Sequence, residues 1–87
     1  MDARAGEMVL VKWRDARFYP ETRRKDCLSD IRMAVFESIG YLVSQDRITT
    51  IIASEQNDEG EYRDVTLIPT GSIESVTGLS LAPAPGV

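Results

Sequence analysis

Histidine is absent from the 87-residue chain, and Cys27 is its only cysteine. Without an imidazole there is no Ser-His-Asp or Cys-His arrangement. One thiol makes neither an intrachain disulfide nor a zinc site. Cys27 has Asp26 beside it, and its cationic neighbours Arg24 and Lys25 cannot act as bases. No apolar run exceeds four residues, as in MVLV at 8–11, whereas a membrane-spanning helix needs about 20. The opening MDARAGE has no signal-peptide core behind it. A cytoplasmic protein with no membrane partner is expected, and an unpaired cysteine fits a reducing compartment. No GxSxG elbow, Walker loop or GxGxxG turn occurs. The carboxylates fall in turns, where nothing would hold them or shift their pKa. The chain is therefore expected not to be an enzyme, with no catalytic residue, no metal, no cofactor and no evident small-molecule substrate.

The hydrophobic fraction of 43% is that of an ordinary folded domain. A chain this short buries only roughly 60–65% of its unfolded surface. Its core supplies about 3–5 kcal/mol net, so small scaffolds add disulfides, metal or oligomerisation. The first two are excluded here, which leaves oligomerisation. The net charge of −4 is unevenly spread. Residues 1–32 carry eight Lys/Arg against six Asp/Glu, a net of +2, and residues 33–87 carry two against eight, a net of −6. Arg23, Arg24 and Lys25 form the only basic cluster, which reads as a solvated loop with an anion contact as the alternative.

The stretch 40–76, GYLVSQDRITTIIASEQNDEGEYRDVTLIPTGSIESV, organises the rest. Residues 48–54, ITTIIAS, are β-branched at five of seven positions, a strong strand signal. Residues 55–64 hold five carboxylates, and Asn57 to Gly60 is turn chemistry, so a solvated hairpin is preferred to a calcium site. Residues 65–68 give a fourth strand, Pro69, Thr70 and Gly71 a tight corner, and 72–79 a short fifth strand with Ile73 and Val76 in the core. Upstream, residues 8–18 alternate, with Val9, Val11 and Trp13 on one face and Lys12 and Arg14 on the other. Tyr19, beside Pro20, is expected to cover the open end of the core. Residues 28–39 admit two readings. Leu28, Ile31, Val35, Phe36 and Ile39 fit a helical stripe, with Ser29 as cap and Gly40 just past the end. Met33, Val35, Ile39, Tyr41 and Val43 fit one face of a strand, with Glu37 the exception. A strand from about residue 32 is adopted because the pattern runs through Gly40 without changing phase. Gly40 then marks a sharp bend or a close backbone approach. A turn is expected at 44–47. Residues 1–6 are expected to be a loose arm and 82–87, APAPGV, a Pro-rich tail, flanking one domain over 7–81. The fold class is all-β, a small five-stranded, strongly bent, partly open SH3-like barrel.

Residues 40–52 resemble the first motif of Sm and Sm-like proteins, a family that includes the bacterial RNA chaperone Hfq. Gly40, Leu42 and Asp46 fall at its glycine, apolar and aspartate positions, and Ile51 and Ile52 continue the strand. Residues 68–76 resemble the second motif, with Ile68, Ile73 and Val76 at the apolar positions. The chain is also similar to short bacterial and phage proteins with a WRD…SxGxL…IPxG pattern, here Trp13-Arg14-Asp15, residues 38–42 and residues 68–71. The resemblance implies a homo-oligomeric ring acting as scaffold or interaction module, in a phage or mobile-element setting. In that family the fourth strand of one subunit pairs with the fifth of the next, which makes Tyr62, Val65, Leu67, Ile73 and Ser75 the candidate subunit interface. It also implies an RNA pocket at Asp46, Arg47, Thr50, Thr70 and Gly71. There the family's asparagine is replaced by Thr50, and its second-motif cations by Pro69, Thr70 and Gly71. Threonine brings no charge to offset a phosphate, so Arg47 is the one cation near that pocket. Weak single-stranded RNA binding and a monomeric SH3-like peptide adaptor remain the alternatives.

Overall fold

The computed structural model describes residues 4–16, 19–20, 22–28 and 31–80. The pattern of two seen in the sequence becomes five strands: β1 Met8–Asp15, β2 Ala34–Gln45, β3 Thr49–Gln56, β4 Tyr62–Pro69 and β5 Ile73–Gly78. Short 3-10 turns, Lys25–Cys27 and Thr70–Ser72, lie in the connections before β2 and before β5. All neighbours are antiparallel, in the order β4-β3-β2-β1-β5. The first four strands form a meander, and the fifth returns to the free side of β1. Among the described residues the two open edges are therefore β4 and β5.

Opposed residues of an antiparallel pair share a face, so the register identifies the inside. Val9, Val11, Leu42, Ile52 and Ile68 form one buried cluster, with Trp13, Ile73 and Val76 packed against it. The cluster joins β1 to β4. Three strand spacings of about 4.8 Å separate those strands in a flat sheet, so the sheet must curl into a partly open barrel. At Gly40 β2 comes close to β3. A Cβ built there would lie 2.8 Å from the Ala53 carbonyl oxygen and 3.3 Å from the Ile52 Cβ. Only glycine lets β2 press so closely on β3, as its place inside a strand pattern suggested.

Several elements differ from expectation. β2 is a strand, but its apolar face points outward. Val35 pairs with Arg14, Ile39 with Leu10 and Tyr41 with Met8, and Ile39 is 62% exposed. The core side of β2 carries Phe36, Ser38, Gly40 and Leu42, opposite Trp13, Val11 and Val9 for the first three. Between Phe36 and Leu42 this side carries the small residues Ser38 and Gly40, where β2 lies close against β3. Glu37 is thus in phase with its exposed neighbours. The turn is shifted to 46–48, and Ile48, expected at a strand start, is 74% exposed. The arm is tied at its end: the Gly6 N–H donates to the Leu42 carbonyl at 2.6 Å, and the Leu42 N–H to the Glu7 carbonyl at 2.8 Å. Tyr19 is half-buried with the Arg23 guanidinium 5.1 Å from its ring centre, and it is not among the residues packed on the core. Phe18, Ser29 and the tail at 82–87 lie outside the described residues.

Candidate functional site at the corner and the two edges

The β2–β3 turn is built by Asp46. Its Oδ1 accepts the N–H groups of Ile48 and Thr49, each at 2.7 Å. The turn closes through the Asp46 N–H and the Thr49 carbonyl at 3.0 Å. Donation first from Thr49 and then from Ile48 holds the Asp46 carboxyl below its ordinary value. Arg47, the residue this turn lifts outward, is exposed and makes no ion pair or hydrogen bond among the described residues.

Against this turn sits the corner Thr70–Ser72. The Thr70 N–H donates to the Ile48 carbonyl at 2.9 Å, and its Oγ1 donates to the Asp46 carbonyl at 2.9 Å. Thr50 Oγ1 lies 2.8 Å from Thr70 Oγ1 and accepts from Gln45 Nε2 at 2.9 Å. A carbonyl can only accept, so the direction of the relay is fixed. Gln45 donates to Thr50, Thr50 to Thr70, and Thr70 to the Asp46 carbonyl. The structure thus brings Asp46, Thr50 and Thr70 together, as the motif spacing suggested. Both hydroxyl protons are committed within the chain, and Thr50 is fully buried. Neither threonine offers a donor to a phosphate in this arrangement. Gly71 is exposed beside them, with open space where a Cβ would lie. Gln45 was the member missed, because a glutamine at a strand end carries no local signal.

The five interface candidates divide between the edges. On β4, Val65 is 47% and Leu67 63% exposed, and both lie on the outer face, opposite Ala53 and Ile51. Tyr62 is half-buried near the start of the strand. On β5, Ser75 is exposed opposite Lys12, whereas Ile73 opposes Trp13 and packs on the core. Ile73 therefore supports the edge from beneath and does not project from it.

The acidic β3–β4 hairpin is organised by its own side chains. Asn57 Oδ1 accepts from the N–H groups of Glu59 and Glu61 at 3.0 and 2.8 Å, and its Nδ2 donates to Glu61 Oε1 at 2.9 Å. Arg63 grips Glu55 through Nε at 3.1 Å and Nη2 at 2.6 Å, which holds the Glu55 carboxyl below its usual range. Among the described residues no group of three His, Cys, Asp or Glu could hold a metal ion. Trp13 donates from Nε1 to Ser38 Oγ at 3.0 Å and stacks on Phe36 with ring centres 5.5 Å apart. Its polar tip and its face are thus both used in packing. No helix among the described residues is long and apolar enough to cross a membrane. Compared with known family models, curated proteins and solved structures, the chain matches none.

Proposed function

We propose that this chain is a self-assembling small β-barrel of the Sm-like kind. The β4 edge of one copy pairs with the β5 edge of the next until the ring closes, and the ring serves as a scaffold or interaction module. The observation that carries this reading is the strand order, which leaves β4 and β5 as opposite open edges of one curled sheet. An unpaired edge is a template for another strand unless it is blunted by charge, proline or brevity. β4 has eight residues, its charges Arg63 and Asp64 lie near its start and its one proline at its end, and exposed Val65 and Leu67 stand on the uncharged stretch between. A head-to-tail contact of this kind closes into a cyclic oligomer when its rotation divides a full turn. The thin core supports the same reading. Leu67, Val65 and Ile39 are large apolar residues left exposed, while among the described residues the buried apolar core is six residues including Ala53.

The test is the mass in solution by light scattering across micromolar concentrations. A constant multiple of the 9.7 kDa chain is expected, and a single-chain mass throughout would contradict it and favour a monomeric adaptor. Titration with oligo-U and oligo-A over a salt series separates scaffold from RNA binder. Phosphate contact weakens with salt. The two hydroxyls are committed, and Arg14, which shares a cavity with Gly71, is paired with Glu74. Among the described residues that leaves Arg47 as the exposed cation at this corner without an ion pair, so no affinity is expected even at low salt.

A further inference from the structure

Two routes connect the edges of this sheet. One runs through β3, β2 and β1, each of which can twist. The other is the three-residue corner Thr70–Ser72 that joins β4 directly to β5. None of the three residues is buried, so burial does not hold the corner. Polar contacts hold it instead. Thr70 is bound through its N–H to Ile48 and through Oγ1 to the Asp46 carbonyl and Thr50. Ser72 Oγ donates back to the Pro69 carbonyl at 2.8 Å. Just beyond, the register of β5 on β1 shifts between Lys12 and Trp13. There Glu74 takes Arg14 Nε at 2.5 Å and faces Lys12 Nζ at 3.9 Å. The Thr50 end of this network is shielded from water, where hydrogen bonds are stronger and more directional.

We infer that this corner fixes the angle between the two edge strands, and through that angle the number of chains in the assembly. The inference rests on the edge-pairing reading above. In a head-to-tail assembly every copy is rotated from the last by the angle between its two binding edges. A corner free to flex gives several closures or an open chain; a corner held from both sides gives one. Thr70 and Glu74 are positioning residues in this sense, since neither needs to touch the neighbouring copy.

The experiment is native mass spectrometry of the full chain and three variants at one concentration, with thermal melts followed by circular dichroism. Wild type and Thr70→Ser, which keeps the hydroxyl, are expected to show one stoichiometry. Thr70→Val, which keeps the shape and loses the hydroxyl, is expected to spread over two or more stoichiometries or over open chains. Glu74→Gln is expected to broaden the distribution in the same direction, and it carries the test if Thr70→Val does not fold. Folded variants with the single stoichiometry of wild type overturn the inference and leave edge pairing intact. A monomeric wild type overturns both.

Discussion

The two edges of the sheet are built differently. β4 has eight residues, and only Ile68 among them is buried. Its outer side shows Val65 and Leu67, and it leads into a hairpin held by Asn57, Glu55 and Arg63. β5 has six residues, places Ile73 and Val76 on the core, and shows Glu74, Ser75 and Thr77 to solvent. One edge is long and apolar on its free side; the other is short, polar outside and anchored. An edge is dangerous to a monomer in proportion to its length and apolar character. β4 carries no charge between Asp64 and its terminal Pro69 to blunt it. β5 needs less protection. The asymmetry fits a contact between unlike surfaces, where one edge supplies apolar side chains and the other a rigid backbone ladder.

The largest effect is expected from reversing the character of β4. Val65→Lys with Leu67→Lys places two ammonium groups on an edge whose present side chains are exposed, so the fold is spared. The mass should fall to one chain, with association weakened about 100-fold or more, the scale of losing a central interface residue. The matching change on β5, Ser75→Lys with Thr77→Lys, sharpens the comparison. Unlike edges require that this variant also dissociates. If β4 paired with a second β4, the β5 variant would stay assembled.

A smaller effect, on stability, is expected at the close approach of β2 to β3. Gly40→Ala forces a methyl group against the Ala53 carbonyl at 2.8 Å. Overpacking of this kind costs about 1–3 kcal/mol, which in a domain of this size lowers the melting temperature by roughly 5–20 °C. An unchanged melt would mean that β2 can straighten there without cost.

The smallest effect is pH-dependent and belongs to the turn beside the corner. The Asp46 carboxyl is held below its ordinary value by the Thr49 and Ile48 N–H groups. Its stabilising contribution is complete above the unfolded carboxylate value of about 3.9, and it is lost as pH falls from there through the lower folded value. Asp46→Asn keeps a carbonyl oxygen for both N–H groups and removes the titration. Between about pH 5 and about pH 3, wild type should lose melting temperature more steeply than this variant. Parallel slopes would show that the turn does not depend on the charge.

How much of this was legible in the sequence depended on whether the signal was local. β1 was readable because Val9, Val11 and Trp13 alternate with Lys12 and Arg14, and the structure buries the first two fully and half-buries Trp13. The acidic turn was readable because Asn57 and Gly60 have few other uses. Gly40 announced a close approach through being out of place in a strand. The face of β2 was misread, because counting apolar residues selects Val35, Ile39 and Tyr41. The core side instead carries the small Ser38 and Gly40, where β2 lies close to β3. The relay was half legible. Motif spacing grouped Asp46, Thr50 and Thr70, but their direct contact and the role of Gln45 depend on two turns 24 residues apart meeting in space. The pairing of Arg14 with Glu74 across 60 residues had no local trace.

The most direct test of head-to-tail edge pairing is to mix the two lysine variants. The β4 variant retains a working β5 edge, and the β5 variant retains a working β4 edge. Light scattering of each alone should give one chain, and an equimolar mixture should give a capped species of twice the 9.7 kDa chain mass. A mixture that stays at single-chain mass, or a β5 variant that remains assembled by itself, would contradict the account.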